Sequence, residues 1–136
     1  MSDVSKRPVP SPTSVTGPFW KAANERRLTV QYDPDAQRWQ FYPRAASVTT
    51  GKRNLQWRDV SGRGSVYSFT VTHIPMQGFE DKVPYAIGLI DLDEGVRILA
   101  NLVNVDAASV QIGMRVKVCW ERLSDDINYF AFEPEE

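Results

Sequence analysis

Two short runs have the spacing of metal-binding knuckles but lack the side chains that bind metal. Asp33-Pro34-Asp35-Ala36 is followed, beyond Pro43-Arg44, by Ser47-Val48-Thr49-Thr50-Gly51, so Asp33, Ala36, Ser47 and Thr50 stand where thiolates would be. Structural Zn²⁺ takes four N or S donors in a tetrahedron, and of these four residues only Asp33 has a ligating side chain. Zinc is therefore not expected, nor is any other cofactor. Ordinary packing has to organise the segment instead.

Few other residues offer chemistry. The single cysteine, Cys119, excludes an intrachain disulfide framework and any multi-Cys metal site. It lies on an alternating strand, sharing a face with Arg115, Lys117 and Glu121, far from the only histidine, His73. A nucleophile needs a base and an orienting group beside it, and no such set can be assembled, so the chain is not expected to be an enzyme on its own. His73 ends a register with Tyr67, Phe69 and Val71, which places it at a barrel rim. There it either makes a structural hydrogen bond or touches a ligand carbonyl. Gly62-Arg63-Gly64 lacks the Lys-Ser/Thr ending and following helix of a phosphate loop and reads as a strand-to-strand turn. Asp91, Asp93 and Glu94 belong to the turn at Gly95 and are not opposed about a substrate.

The richest cluster is cationic and aromatic: Arg44, Lys52, Arg53 and Arg58 alternate with Trp39, Phe41, Tyr42 and Trp57. Three uses are open. Such platforms hold single-stranded nucleic acid on OB-folds. The same groups suit CoA, with a ring stacked on adenine and guanidinium forks on the phosphates. Otherwise the cations form a solvated rim while the aromatics fill the core that metal would have organised. The loop Pro75–Val83 presents Phe79 beside Gly78, and a loop of that length is often functional. A ligand cleft is expected between Arg44, Trp57, His73 and Phe79, with Lys52 and Arg53 at its mouth.

The elements that must position these groups can be read from composition and periodicity. With 136 residues, 42% of them hydrophobic and 11% aromatic, the chain can bury a core without staples. Sixteen Lys and Arg against seventeen Asp and Glu give a net charge of −1, so nothing steers the whole molecule towards nucleic acid. No apolar run approaches the roughly 18 residues of a membrane span, and the N-terminus lacks a signal-type apolar region. The expectation is a cytoplasmic protein without a membrane partner.

Residues 1–17, rich in Pro, Ser and Thr, are expected to form a flexible tail. Residues 18–54 hold a helix and a metal-free, zinc-ribbon-like β-hairpin. Pro18 suits the first turn of the helix, which carries the apolar stripe Phe19, Trp20 and Ala23. So short a helix must dock on something, and Phe19, Trp20 and Trp39 are the expected partner-docking residues. Strands at 28–32 and 38–42 make the hairpin, and 43–54 is loop. Residues 55–136 alternate through segments at 56–60, 65–74, 84–92, 96–103, 114–122 and 127–133, separated by turn signals. A mainly β chain ending in a five- to six-stranded OB-fold barrel is expected.

Several phrases, in order and spacing, together carry a family resemblance. They are Gly17-Pro18-Phe19-Trp20, Tyr42-Pro43-Arg44, Gly62-Arg63-Gly64-Ser65-Val66-Tyr67, Pro84-Tyr85-Ala86-Ile87, the segment 92–103 and Ile112-Gly113-Met114. Over residues 17–134 the chain resembles the domain-of-unknown-function thirty-five family, which places a helix, a rubredoxin-like zinc ribbon and an OB-fold in series. The departure is that the family's four cysteines fall on Asp33, Ala36, Ser47 and Thr50. The resemblance implies a non-catalytic, acyl-CoA-associated accessory subunit. It would dock on a thiolase-, aldolase- or hydratase-type enzyme of lipid, steroid or polyketide metabolism. A homodimer is compatible with it. The alternative reading is an OB-fold module for single-stranded nucleic acid.

Overall fold

The structure is a computed structural model that describes residues 7–135. Helix α1 spans Gly17–Asn24, and eight strands follow it. A reciprocal turn leads into the helix, with the Thr13 amide donating to Thr16 Oγ1 at 2.9 Å and the Thr16 amide to Thr13 Oγ1 at 3.1 Å. Pro18 sits in the first turn, where a missing N–H costs nothing. Arg26 turns to a φ of 59°, so the helix stops at Asn24 and does not run on to Arg27. Its inner face of Phe19, Ala22 and Ala23 is buried. Phe19 meets Phe130 and Phe41 edge-on, with ring centroids 5.6 Å and 5.8 Å away. The helix end is tied to the barrel, because Asn128 Nδ2 donates to the Ala23 carbonyl and Asn24 Oδ1 accepts from the Asn128 amide.

Strands β1 (Thr29–Asp33), β2 (Arg38–Gln40) and β3 (Gln56–Asp59) form an antiparallel sheet in the order β2-β1-β3. The hairpin is thus a three-stranded sheet. The segment expected to open the barrel at Leu55 instead pairs with β1, with Gln31 opposite Trp57. The loop between β2 and β3 folds back, which lets β3 pair with a strand that precedes it.

The barrel consists of β4 (Arg63–Thr72), β5 (Tyr85–Leu92), β6 (Arg97–Leu102), β7 (Arg115–Arg122) and β8 (Asn128–Pro134). It closes in the order β4-β5-β6-β8-β7, with β7 returning to β4 and β6 running parallel to β8. That connectivity is an OB-fold. A short 3-10 turn at Ala107–Ser109 fills the crossover between β6 and β7. Alternation on β5 and β6 sends Ala86, Ile90, Leu92, Ile98 and Leu102 inward, where they meet Val66, Val116 and Phe132. Gly62 makes the entry turn with φ of 78°, and its Cα lies so close to the Val118 side chain that a Cβ would clash.

Two expectations fail for local reasons. A β-bulge between Val66 and Ser68 adds one residue to β4, so Tyr67 points out, half-exposed, and does not share a face with Phe69 and Val71. The N-terminal tail is packed along its described part. Arg7 is buried, pairs with Glu121 at 3.1 Å and lies 5.7 Å over the Phe79 ring. Residues 1–6 of that expected tail lie outside the described residues.

Candidate functional site

The four knuckle positions do converge, around a carboxylate. Asp33 is 1% exposed at the end of β1. One of its oxygens accepts the amides of Asp35 and Ala36 at 2.9 and 3.0 Å. The other accepts a short hydrogen bond from Ser47 Oγ and one from Thr50 Oγ1 at 3.2 Å. Ser47 Oγ in turn accepts the amides of Thr49 and Thr50, completing the second knuckle. Four donors, the Ser47 hydroxyl foremost, hold the Asp33 carboxyl below the ordinary carboxylate range. This donor set does not fit zinc: a methyl, two hydroxyls and a carboxylate already filled by hydrogen bonds cannot make a tetrahedron of N or S. Among the described residues, no cluster of three or more His, Cys, Asp or Glu could hold a metal ion.

The expected cleft does not form from its four named residues. Arg44, Arg53 and Trp57 line one concavity beside Gln31, whose amide bonds the Arg44 backbone on both sides. Lys52 faces Asp35 instead, at 3.5 Å. Phe79 stacks on Tyr85, with centroids 5.2 Å apart, and belongs to a separate furrow shared with Arg7 and Glu121. His73 lies beyond the end of β4, exposed, and lines none of these cavities. Strand β4 ends at Thr72, so His73 is past the last paired residue of the face that Phe69 and Val71 share.

Of the expected docking residues, Phe19 is 3% exposed and packs within its own chain. Trp20 stacks on Tyr129, with centroids 5.8 Å apart, and Trp39 meets Tyr32 edge-on at 4.9 Å. Several of the basic groups are also engaged. Arg58 lies 4.1 Å over Tyr32, Arg97 pairs with Asp91 and lies 3.5 Å over Tyr67, and Arg115 pairs with Asp93. Cys119 is half-buried, and desolvation pushes its thiol up to about 11, away from a nucleophile's range.

A further concavity, larger than those above, lies where no single sequence run announced it. A cavity of about 300 Å³ opens between α1, the aromatic corner Phe41-Tyr42-Pro43 and the outer face of β5 and β6. Ile87, Leu99 and Asn101 form its floor, Phe19, Trp20, Tyr42 and Tyr129 stand around it, and Pro10 of the N-terminal segment reaches its edge. The sequence signals were the aromatic pairs Phe19-Trp20 and Phe41-Tyr42 and the outward positions of β6. What brings them together is the docking of α1 on β8, which no periodicity reports.

Comparison with known proteins fits this architecture. Residues 57–121 match the family described as the ChsH2 C-terminal OB-fold domain. The chain is 32% identical over 104 residues to a DUF35 domain-containing scaffold protein of Methanocaldococcus jannaschii, covering 71% of this chain and 74% of that protein. It is 34% identical over 128 residues to the 3-oxo-4,17-pregnadiene-20-carboxyl-CoA hydratase alpha subunit of Mycobacterium tuberculosis. That match covers 93% of this chain but only 40% of the hydratase subunit. Among solved structures, a chain of the Ltp2-ChsH2(DUF35) aldolase superposes with a TM-score of 0.82 at 27% identity, covering 93% of this chain and 98% of that one.

Proposed function

Because this chain belongs to the DUF35 family, we propose that it is an accessory subunit of a hydratase- or aldolase-type enzyme acting on acyl-CoA thioesters in lipid or steroid metabolism. It would itself be non-catalytic. The observation that carries this reading is the match to the chain of the Ltp2-ChsH2(DUF35) aldolase, which runs nearly end to end in both directions. A unit of the same extent is thus found in a named enzyme assembly. The hydratase alpha subunit supports the same class, since it includes a stretch like this chain within a longer protein. The name scaffold on the archaeal relative fits a role in holding other subunits. A thiolase-type partner, expected from the family resemblance, stays within this proposal as a further candidate.

The surface supports docking away from the buried Phe19. Ile74 and Met76, at the start of the β4–β5 loop, are 85% and 71% exposed and offer apolar area that a partner would cover. The face on which OB-folds hold oligonucleotides, the outer side of the second and third barrel strands, is here walled by the chain's own helix and aromatic corner. That placement disfavours the nucleic-acid reading.

Native affinity capture from source cells, with identification of the captured enzyme, tests the proposal. A hydratase, aldolase or thiolase recovered in fixed ratio and lost with Ile74→Asp supports it. A chain that captures no such enzyme and instead binds labelled oligonucleotide in a salt-sensitive way would favour the nucleic-acid module.

A further inference from the structure

We propose that the cavity between α1, the Phe41–Pro43 corner and the barrel's β5–β6 face binds the apolar acyl end of a thioester. The argument begins with shape. At about 30 Å³ of liquid volume for a water-sized group, a cavity of about 300 Å³ admits a compact group of about ten heavy atoms. Its walls are preformed, because Phe19 and Phe130 are core residues held by their neighbours. Small-molecule sites are concave, mostly apolar, and carry a few polar groups that fix orientation.

Those polar groups are present. The Asn101 amide lies on the floor, and the hydroxyl-bearing rings of Tyr42 and Tyr129 are part of the wall. None of the three side chains makes a hydrogen bond within the described residues. Each is available to an oxygen of the ligand, such as a thioester carbonyl, while the rest of the acyl group lies against rings and methyls.

Position supports the same reading. The floor is the outer face of the second and third strands of the barrel, where OB-folds take their ligands. Here aromatic walls replace the cationic track that phosphates need, which selects the acyl end over the nucleotide end of CoA. Leu99 on that floor is 45% exposed, so the apolar floor is open to an incoming group.

The source of the ligand rests on the accessory-subunit reading, and the test separates the two. The purified chain is titrated calorimetrically with octanoyl-CoA, octanoate and free CoA. Octanoyl-CoA and octanoate are expected to saturate, and free CoA is not. Leu99→Trp, which fills the cavity from an exposed strand position on its floor, and Asn101→Leu, which removes the polar tip at constant volume, should each weaken octanoyl-CoA by about tenfold or more. Their melting temperatures should match the parent's. Free CoA binding as tightly as octanoyl-CoA, no binding of either octanoyl probe, or unchanged affinity in both variants overturns the proposal. Silence towards the probes in a chain that still captures its enzyme sinks the cavity alone. Probe binding in a chain that captures no enzyme leaves the cavity standing and sinks the accessory role.

Discussion

Asp33 shows how a single residue can take over an organising task. Its carboxylate collects donors from both knuckles, so the loop that thiolates and metal would have pinned is pinned by four hydrogen bonds to one anion. The ionised form is the one stabilised, which makes the ribbon sensitive to acid. Because the folded carboxyl titrates below its unfolded value of about 3.9, the stabilisation is fully present above that range and is lost as pH falls through the lower folded value. Asp33→Asn should lower the melting temperature by several degrees at pH 7 and flatten its decline between pH 5 and 3. Thermal melts across that range decide the point, and an unchanged acid limb would mean another carboxylate carries it. Cys119 gives a second test at this scale. With its thiol raised to about 11 by burial, alkylation in the folded protein at pH 8 should be slowed by well over tenfold relative to the unfolded chain. Mass spectrometry of timed iodoacetamide reactions reads this directly. The absence of thiolates could be read from the spacing alone. That Asp33 would be the hub could not, because Ser47 and Thr50 reach it only once the loop closes.

Elements were legible where periodicity was strong. Alternation placed β5 and β6 to within a residue or two, and the turn at Gly95 separated them. Reading failed where pairing is non-local or a residue is inserted. The strand Gln56–Asp59 has no local mark saying that it returns to β1. The bulge at Tyr67 breaks a register that strict alternation assumes, and so takes Tyr67 off the face of Phe69 and Val71. Helix α1 was legible as a helix needing a partner, but not that the partner is its own barrel. Phe19→Ala should therefore cost the whole domain, about 3–5 kcal/mol, since Phe19 joins the helix to Phe41 and Phe130. Trp39→Ala, half-buried against Tyr32, should cost on the order of 1–2 kcal/mol and speed hydrogen exchange in 29–59 more than in the barrel. Urea unfolding followed by amide exchange separates the two effects. Equal loosening of barrel and sheet by Trp39→Ala would show that the three-stranded sheet has no stability of its own.

For the whole molecule, sequence and structure agree on a helix, a small antiparallel sheet and an OB-fold barrel. The candidate site was less legible than the fold. Arg44, Arg53 and Trp57 line one concavity without Phe79 or His73, and the larger aromatic cavity is assembled from segments spread over most of the chain. Its existence depends on how the helix and the corner lie across the strands, and sequence spacing carries no information on that. The near-complete match to a chain of an aldolase assembly makes partnership the central claim. The measurement that tests it most directly is the turnover of the captured acyl-CoA enzyme with and without this chain. Purified enzyme freed of the chain should lose most of its rate and recover it when the chain is added at equal ratio, with Ile74→Asp failing to restore it. An enzyme that runs at full rate alone, indifferent to added chain, would contradict the account.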